Sequence, residues 1–201
     1  MTFDLAVRDL APGFSDPVFD SQSIFRGVMN AIAYPGRIHQ LTRLPDRPAA
    51  LAPATAAVAL TLCDFETPLW LDKTASTPAA LAYVRFHCGA PVVEASNGAR
   101  FAIVGDAQGM PRLSAFDIGE DQYPDRSATL IIQTPSLTDG PRRRWTGPGI
   151  RDAIDVSIAG LSDWFWDDWT MNRELYPLGV DVIFTSGDSI IGLPRGVSVE
   201  G

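Results

Sequence analysis

The chain has 201 residues, 46% of them hydrophobic and 20% charged, with a formal net charge of −8. That length suits one well-buried domain of roughly 100 to 200 residues, and the composition excludes a disordered chain. The acidic balance opposes any general attraction to nucleic acid or anionic lipid, no apolar run approaches the roughly 18 residues of a membrane span, and Met1 to Leu10 carries Asp4, Arg8 and Asp9 where a secretion signal is apolar, so a cytoplasmic protein is predicted.

Residues 1–14 read as a loose N-terminal segment of a single domain spanning 1–201. Asp16-Pro17 then opens a helix, with Phe25, Val28, Met29 and Ile32 at helical spacing until Tyr34-Pro35-Gly36 stops it. Arg37 to Thr42 alternates as a strand, and Leu44 to Pro48 is a linker. Behind Pro53, Ala54 to Leu62 predicts a helix, because proline's missing N–H costs nothing in a first turn. Pro68 to Asp72 predicts a short buried strand, and Ser76-Thr77-Pro78 starts a helix that ends at Cys88-Gly89.

From Val92 the pattern turns to β, with strands expected at Ala99 to Val104, Thr129 to Gln133 and Arg142 to Thr146, pairing in one mixed sheet. Leu161 to Glu174 is helical and holds Trp164, Phe165, Trp166 and Trp169, too many aromatics for one buried side. Trp164, Trp166 and Trp169 are therefore candidates for a partner interface. Val180 to Thr185 and Ser189 to Leu193 flank Gly187-Asp188 as a tight hairpin.

The reactive residues are few. His39 and His87 stand without a third histidine or an HExxH pattern, and Cys63 and Cys88 form no CxxC, so no metal site is expected. Lys73 is the single lysine, in a Thr/Ser-rich turn without an apolar run around it, which is weak support for Schiff-base chemistry. No phosphate-binding loop, dinucleotide fingerprint or hydrolase elbow is present, and neither cofactor nor catalytic residue is assigned.

What remains is a set of short islands. Thr146, Gly147, Pro148, Gly149 and Ile150 follow a strand, downstream of Arg142, Arg143 and Arg144. They read as a plain turn, or alternatively as backbone N–H groups presented to an anion, with at most two of the arginines on one side of the strand. Arg85 and His87 close a helix, where cations offset the helix dipole by about 0.3–1 kcal/mol. Asp181 and Arg195 lie near the same end of the predicted hairpin and are expected to pair.

Together these islands resemble the H-subunit family of the bacterial carbon–phosphorus lyase system, which degrades phosphonates. The resemblance runs through Phe25-Arg26 with Pro35-Gly36, Leu60 to Asp64 with Thr67-Pro68, Arg85-Phe86-His87, Ala128-Thr129-Leu130, Thr146 to Ile150, Pro177 to Asp181 and Leu193-Pro194-Arg195. Tyr176 stands where the family commonly has Phe, and the Trp-rich helix is distinctive.

The resemblance implies an α/β fold, a three-layer mixed sheet between helices like that of pyridoxal-phosphate-dependent transferases, with the cofactor site lost. It implies partnership with the G, I and J subunits of a core complex that replaces the adenine of ATP by a phosphonate, giving ribose 1-phosphonate 5-triphosphate. The later radical cleavage needs an iron–sulfur cluster, which two cysteines cannot hold, so it belongs to a partner. The expected role is accessory and non-catalytic, with a homodimer in isolation. The alternative is a phosphonate- or nucleotide-binding module that uses the Thr146–Gly149 turn and nearby arginines; Arg26, Arg85, His87, Asp181 and Arg195 join Thr146, Gly147 and Gly149 as candidate ligand or structural residues.

Overall fold

Three of the four predicted helices begin at a proline. In the computed structural model, which describes residues 10–201, Asp16 accepts a hydrogen bond from the Phe19 amide, Pro17 takes the first turn, and α1 runs Pro17–Ala33. α2 spans Pro53–Leu62 without a side-chain cap. α3 spans Pro78–Cys88, capped by Thr77 at its start and by Gly89 at φ 68° at its end, where a side chain is disfavoured. α4, the aromatic helix, spans Trp164–Glu174.

Among the described residues, nine strands form two sheets. They are β1 (His39–Gln40), β2 (Leu69–Leu71), β3 (Phe101–Val104), β4 (Thr129–Gln133), β5 (Arg142–Thr146), β6 (Ile154–Ser157), β7 (Asp181–Ser186), β8 (Ser189–Leu193) and β9 (Ser198–Glu200). The main sheet has the order β1-β8-β7-β4-β3-β2, with β2, β3, β4 and β7 parallel and β8 antiparallel to both of its neighbours, β7 and β1. Gly187, at φ 56°, begins the two-residue turn between β7 and β8, as the hairpin motif requires.

The central strands are apolar at consecutive positions because both faces of the sheet are covered. Ile131, Ile183 and Ile190 face α1, α2 and α3, whereas Leu130, Ile132, Val182, Phe184 and Ile191 face the opposite layer. That opposite layer contains α4 and a second sheet of order β6-β5-β9, not helices alone.

β5 therefore does not join the main sheet as expected. Its run Arg142-Arg143-Arg144-Trp145 offers one fully buried side chain, Trp145, which suits a strand covered on one face only. Its partners β6 and β9 were not predicted, since each is short and only partly apolar.

The N-terminal expectation also needs correction. Residues 1–9 lie outside the described residues, but Leu10, Ala11 and Phe14 pack on the core, and Gly13 bridges to Asp46. Close packing fixes the helix layer elsewhere too. A Cβ at Gly192 of β8 would collide with the Ala31 carbonyl oxygen of α1, so glycine lets this helix lie directly on the strand.

Candidate functional site

The strongest polar constellation lies at the start of β7. Asp181 accepts from the Arg195 backbone amide at 2.8 Å and pairs with its guanidinium through Nε and Nη2. Arg195 Nη1 donates to the Pro124 carbonyl at 2.8 Å and to the Pro177 carbonyl at 3.3 Å, while Nη2 also donates to Ser127 Oγ. The expected hairpin pair is thus real and larger than predicted. One guanidinium ties two loops, one at 124–127 and one at Pro177, to β7, leaving its donors directed into the protein.

Arg195 also lines a groove of about 370 Å³ with Ile32, Ala33, Pro148, Gly149 and Tyr176. The Gly-Pro-Gly turn forms one wall. Gly149 has φ 81°, and a Cβ there would strike the Ala33 carbonyl oxygen, so the turn sits against the end of α1. Thr146 pairs with Ser198 across β5 and β9, and Gly147 has φ 138°. The groove wall is mostly carbon, with the Arg195 guanidinium already bound elsewhere.

The three consecutive arginines divide as strand alternation demands. Arg142 forms an exposed ion pair with Asp155, and Arg144 stands opposite Asp155 and Glu200 in the cross-strand register. Arg143 turns inward over the Trp166 ring at 5.6 Å. These contacts build the second sheet and do not converge on the turn.

His87 lies far from that groove in role. Its Nε2 is 2.9 Å from the Ala11 carbonyl, and since a carbonyl only accepts, Nε2 carries the proton. Its ring packs on Tyr83 at 4.6 Å, and the Tyr83 hydroxyl donates to the Asp46 carbonyl. His87 is a fastener for residues 10–14. Arg85, in the last turn of α3, and Arg26, on α1, are both exposed.

The aromatic helix overturns part of its predicted role. Trp169 is fully buried and donates its indole N–H to the Val197 carbonyl at 3.0 Å, so it is core and not interface. Trp164 and Trp166 are half-buried, and each is overlaid by a guanidinium, Arg112 at 4.8 Å and Arg143 at 5.6 Å. The buried Asp168 pairs with Arg112 and accepts from the Leu113 amide, which secures α4 to the β3–β4 connection. This pair also raises the Arg112 pKa, chiefly through the Asp168 hydrogen bond. Sequence reasoning missed it, because 56 positions separate the partners.

A second depression, of about 450 Å³, lies outside the carboxyl ends of β3 and β4, where open α/β sheets commonly hold ligands. Gln133 and Thr134 in its lining are engaged within the chain. Gln133 accepts from the Ala52 amide and donates to the Ala50 carbonyl, which supplies the partner that α2 lacks at its start. Asp72 beside it accepts from the amides of Ala75, Gly105 and Asp106. Lys73 is exposed at the end of β2.

Burial disables the thiols as nucleophiles. It pushes the Cys63 thiol well up and that of Cys88 up to about 12, with lesser contributions from neighbouring negative groups.

Among the described residues, no group of three or more metal-binding side chains occurs and no helix is long and apolar enough to cross a membrane.

The family model for the bacterial phosphonate metabolism protein PhnH matches residues 12–200. The chain is 40% identical over 187 residues to the alpha-D-ribose 1-methylphosphonate 5-triphosphate synthase subunit PhnH of Rhizobium meliloti (strain 1021), covering 93% of this chain and 94% of the relative. It is 30% identical over 180 residues to the "Putative C-P lyase subunit protein HtxG" of Stutzerimonas stutzeri, covering 89% and 85%. A match across both hydrophobic clusters, from the segment under His87 to β9, cannot come from a shared motif alone, and the chain belongs to the PhnH family of bacterial phosphonate metabolism.

Proposed function

We propose that the chain is an accessory, non-catalytic subunit of the carbon–phosphorus lyase machinery. It supports formation of ribose 1-phosphonate 5-triphosphate from ATP and a phosphonate, with release of adenine. The observation that carries this reading is the near full-length identity to a subunit of a ribose 1-methylphosphonate 5-triphosphate synthase. The engaged side chains of Asp72, Asp181 and Arg195 support it, because they serve the fold and not a reacting group.

The partners in this reading are the G, I and J subunits, and the place of work is the cytoplasm. Co-expression with those subunits and size-exclusion chromatography test it. The chain is expected to co-elute, and deletion of its gene to abolish growth on methylphosphonate as the phosphorus source. A chain that never co-elutes overturns the reading. In isolation a homodimer is expected, read by light scattering.

We further propose kinship of the main sheet with pyridoxal-phosphate transferases, supported by its four parallel strands and antiparallel β7–β8 hairpin. The cofactor site is lost in this reading, since the single lysine is solvent-exposed at a strand end. Addition of pyridoxal phosphate should produce no aldimine absorbance band. The alternative of a phosphonate- or nucleotide-binding module has less support, because the Arg195 guanidinium beside the turn is fully engaged.

A further inference from the structure

α1 carries more large exposed apolar side chains than the tryptophan helix, where Met171 is exposed. Val18, Phe25 and Met29 follow one another at helical spacing and are exposed, at 72%, 47% and 50%. The stripe runs into the groove at the end of the same helix, where Ile32 and Ala33 meet Pro148, Gly149 and Tyr176. Tyr176 is 62% exposed at the rim. The ridge and the socket follow one another along a single helix, unlike apolar residues exposed singly.

The rim carries charge opposite to that of the protein. Arg26 lies on the same face of α1 as Met29 and Ala33, Arg37 lies over the exposed Tyr34 ring, and Arg151 lines the adjoining hollow beside Gly149. None of the three has a carboxylate within ion-pair distance among the described residues. Asp152 is the acidic member of that hollow. On a chain of net charge −8, an arginine rim around an apolar groove calls for an acidic partner.

We propose that this groove is the socket for a large apolar side chain carried on a carboxylate-flanked segment of a partner subunit. The proposal rests on the subunit reading above and names the surface that reading requires. A closed two-fold dimer of this chain through the same face would set the arginine rim against its own copy, which favours a different chain as the occupant. Two sequence islands that share no chemistry, Thr146–Ile150 and Leu193–Arg195, then meet in one groove, and Arg195 ties the Pro177 carbonyl beside it.

The test co-expresses the full chain with the G, I and J subunits and measures assembly by size exclusion and the dissociation constant by interferometry. Met29→Glu combined with Tyr176→Ala should weaken association at least tenfold. The Arg26→Glu, Arg37→Glu, Arg151→Glu variant should weaken it and reduce its salt dependence. Phe86→Glu, at an exposed site on α3, should leave it unchanged. Hydrogen–deuterium exchange of the wild-type chain, free and assembled, should show protection at 25–34, 146–150 and 176, which settles the surface should a variant fail to fold.

Unchanged affinity in the groove variants, or protection confined to other segments, overturns the socket while leaving the subunit reading intact. Loss of self-association alone, with assembly preserved, overturns the choice of occupant in favour of a second copy. A wild-type chain that fails to assemble overturns both.

Discussion

Replacing Arg195 by Met removes the donors that hold Asp181, Pro124, Pro177 and Ser127 together, so the variant separates a structural guanidinium from a ligand-binding one. Breaking a buried ion pair costs about 3–5 kcal/mol, because the remaining charge is left uncompensated. Here the two side chains keep 15% and 23% of their exposure, and Asp181 retains the Arg195 amide at 2.8 Å. Water and that amide recover part of the loss, so about 2–3 kcal/mol is expected.

For a chain of this size that corresponds to a fall of about 4–12 °C in Tm. Urea denaturation followed by circular dichroism reads the free energy directly. Arg195→Lys keeps the charge but not the planar fork, and should cost roughly half as much. A Met variant within about 0.5 kcal/mol of wild type would refute the reasoning and return Arg195 to the list of ligand contacts. Calorimetry with methylphosphonate or ATP on the same variants should show no heat that depends on Arg195.

Gly192→Ala should destabilise by about 1–3 kcal/mol, measured as a lower urea midpoint, because the new methyl group forces α1 away from β8. Trp169→Phe should cost about 2–3 kcal/mol by leaving the Val197 carbonyl unpaired and opening a void, whereas Trp164→Phe should stay within about 1 kcal/mol. Asp20 gives a pH signature. Its pKa is held below 3.8, first by the Asp16 amide and then by Arg43, so its contribution is complete above 3.8 and is lost as pH falls through the lower folded value. Asp20→Asn should therefore flatten the loss of stability below about pH 4 in acid titrations monitored by fluorescence.

Local rules sufficed where local causes act. Proline, capping side chains and Gly89 place α1, α2 and α3 within a few residues of their own predicted starts and ends, and apolar runs identify β3, β4, β7 and β8. Family membership was also legible, because the order of short islands along the chain is itself sequence information. The Asp181–Arg195 pair followed from hairpin register, a contact set by a two-residue turn.

The remaining features depend on distance in the chain. Nothing in Arg142–Trp145 says that β5 pairs with β6 and β9 and not with β4, since the competing strands differ only in how many faces the assembled protein covers. Which tryptophans of α4 are buried was likewise undecidable from spacing, because Arg112 and Arg143 arrive from elsewhere to cover two of them. The groove at the end of α1 draws on residues from 32 to 196. Sequence alone determined the elements and the family; only tertiary packing decided which side chains were free to meet a partner, because burial is a property of the neighbours a residue acquires on folding.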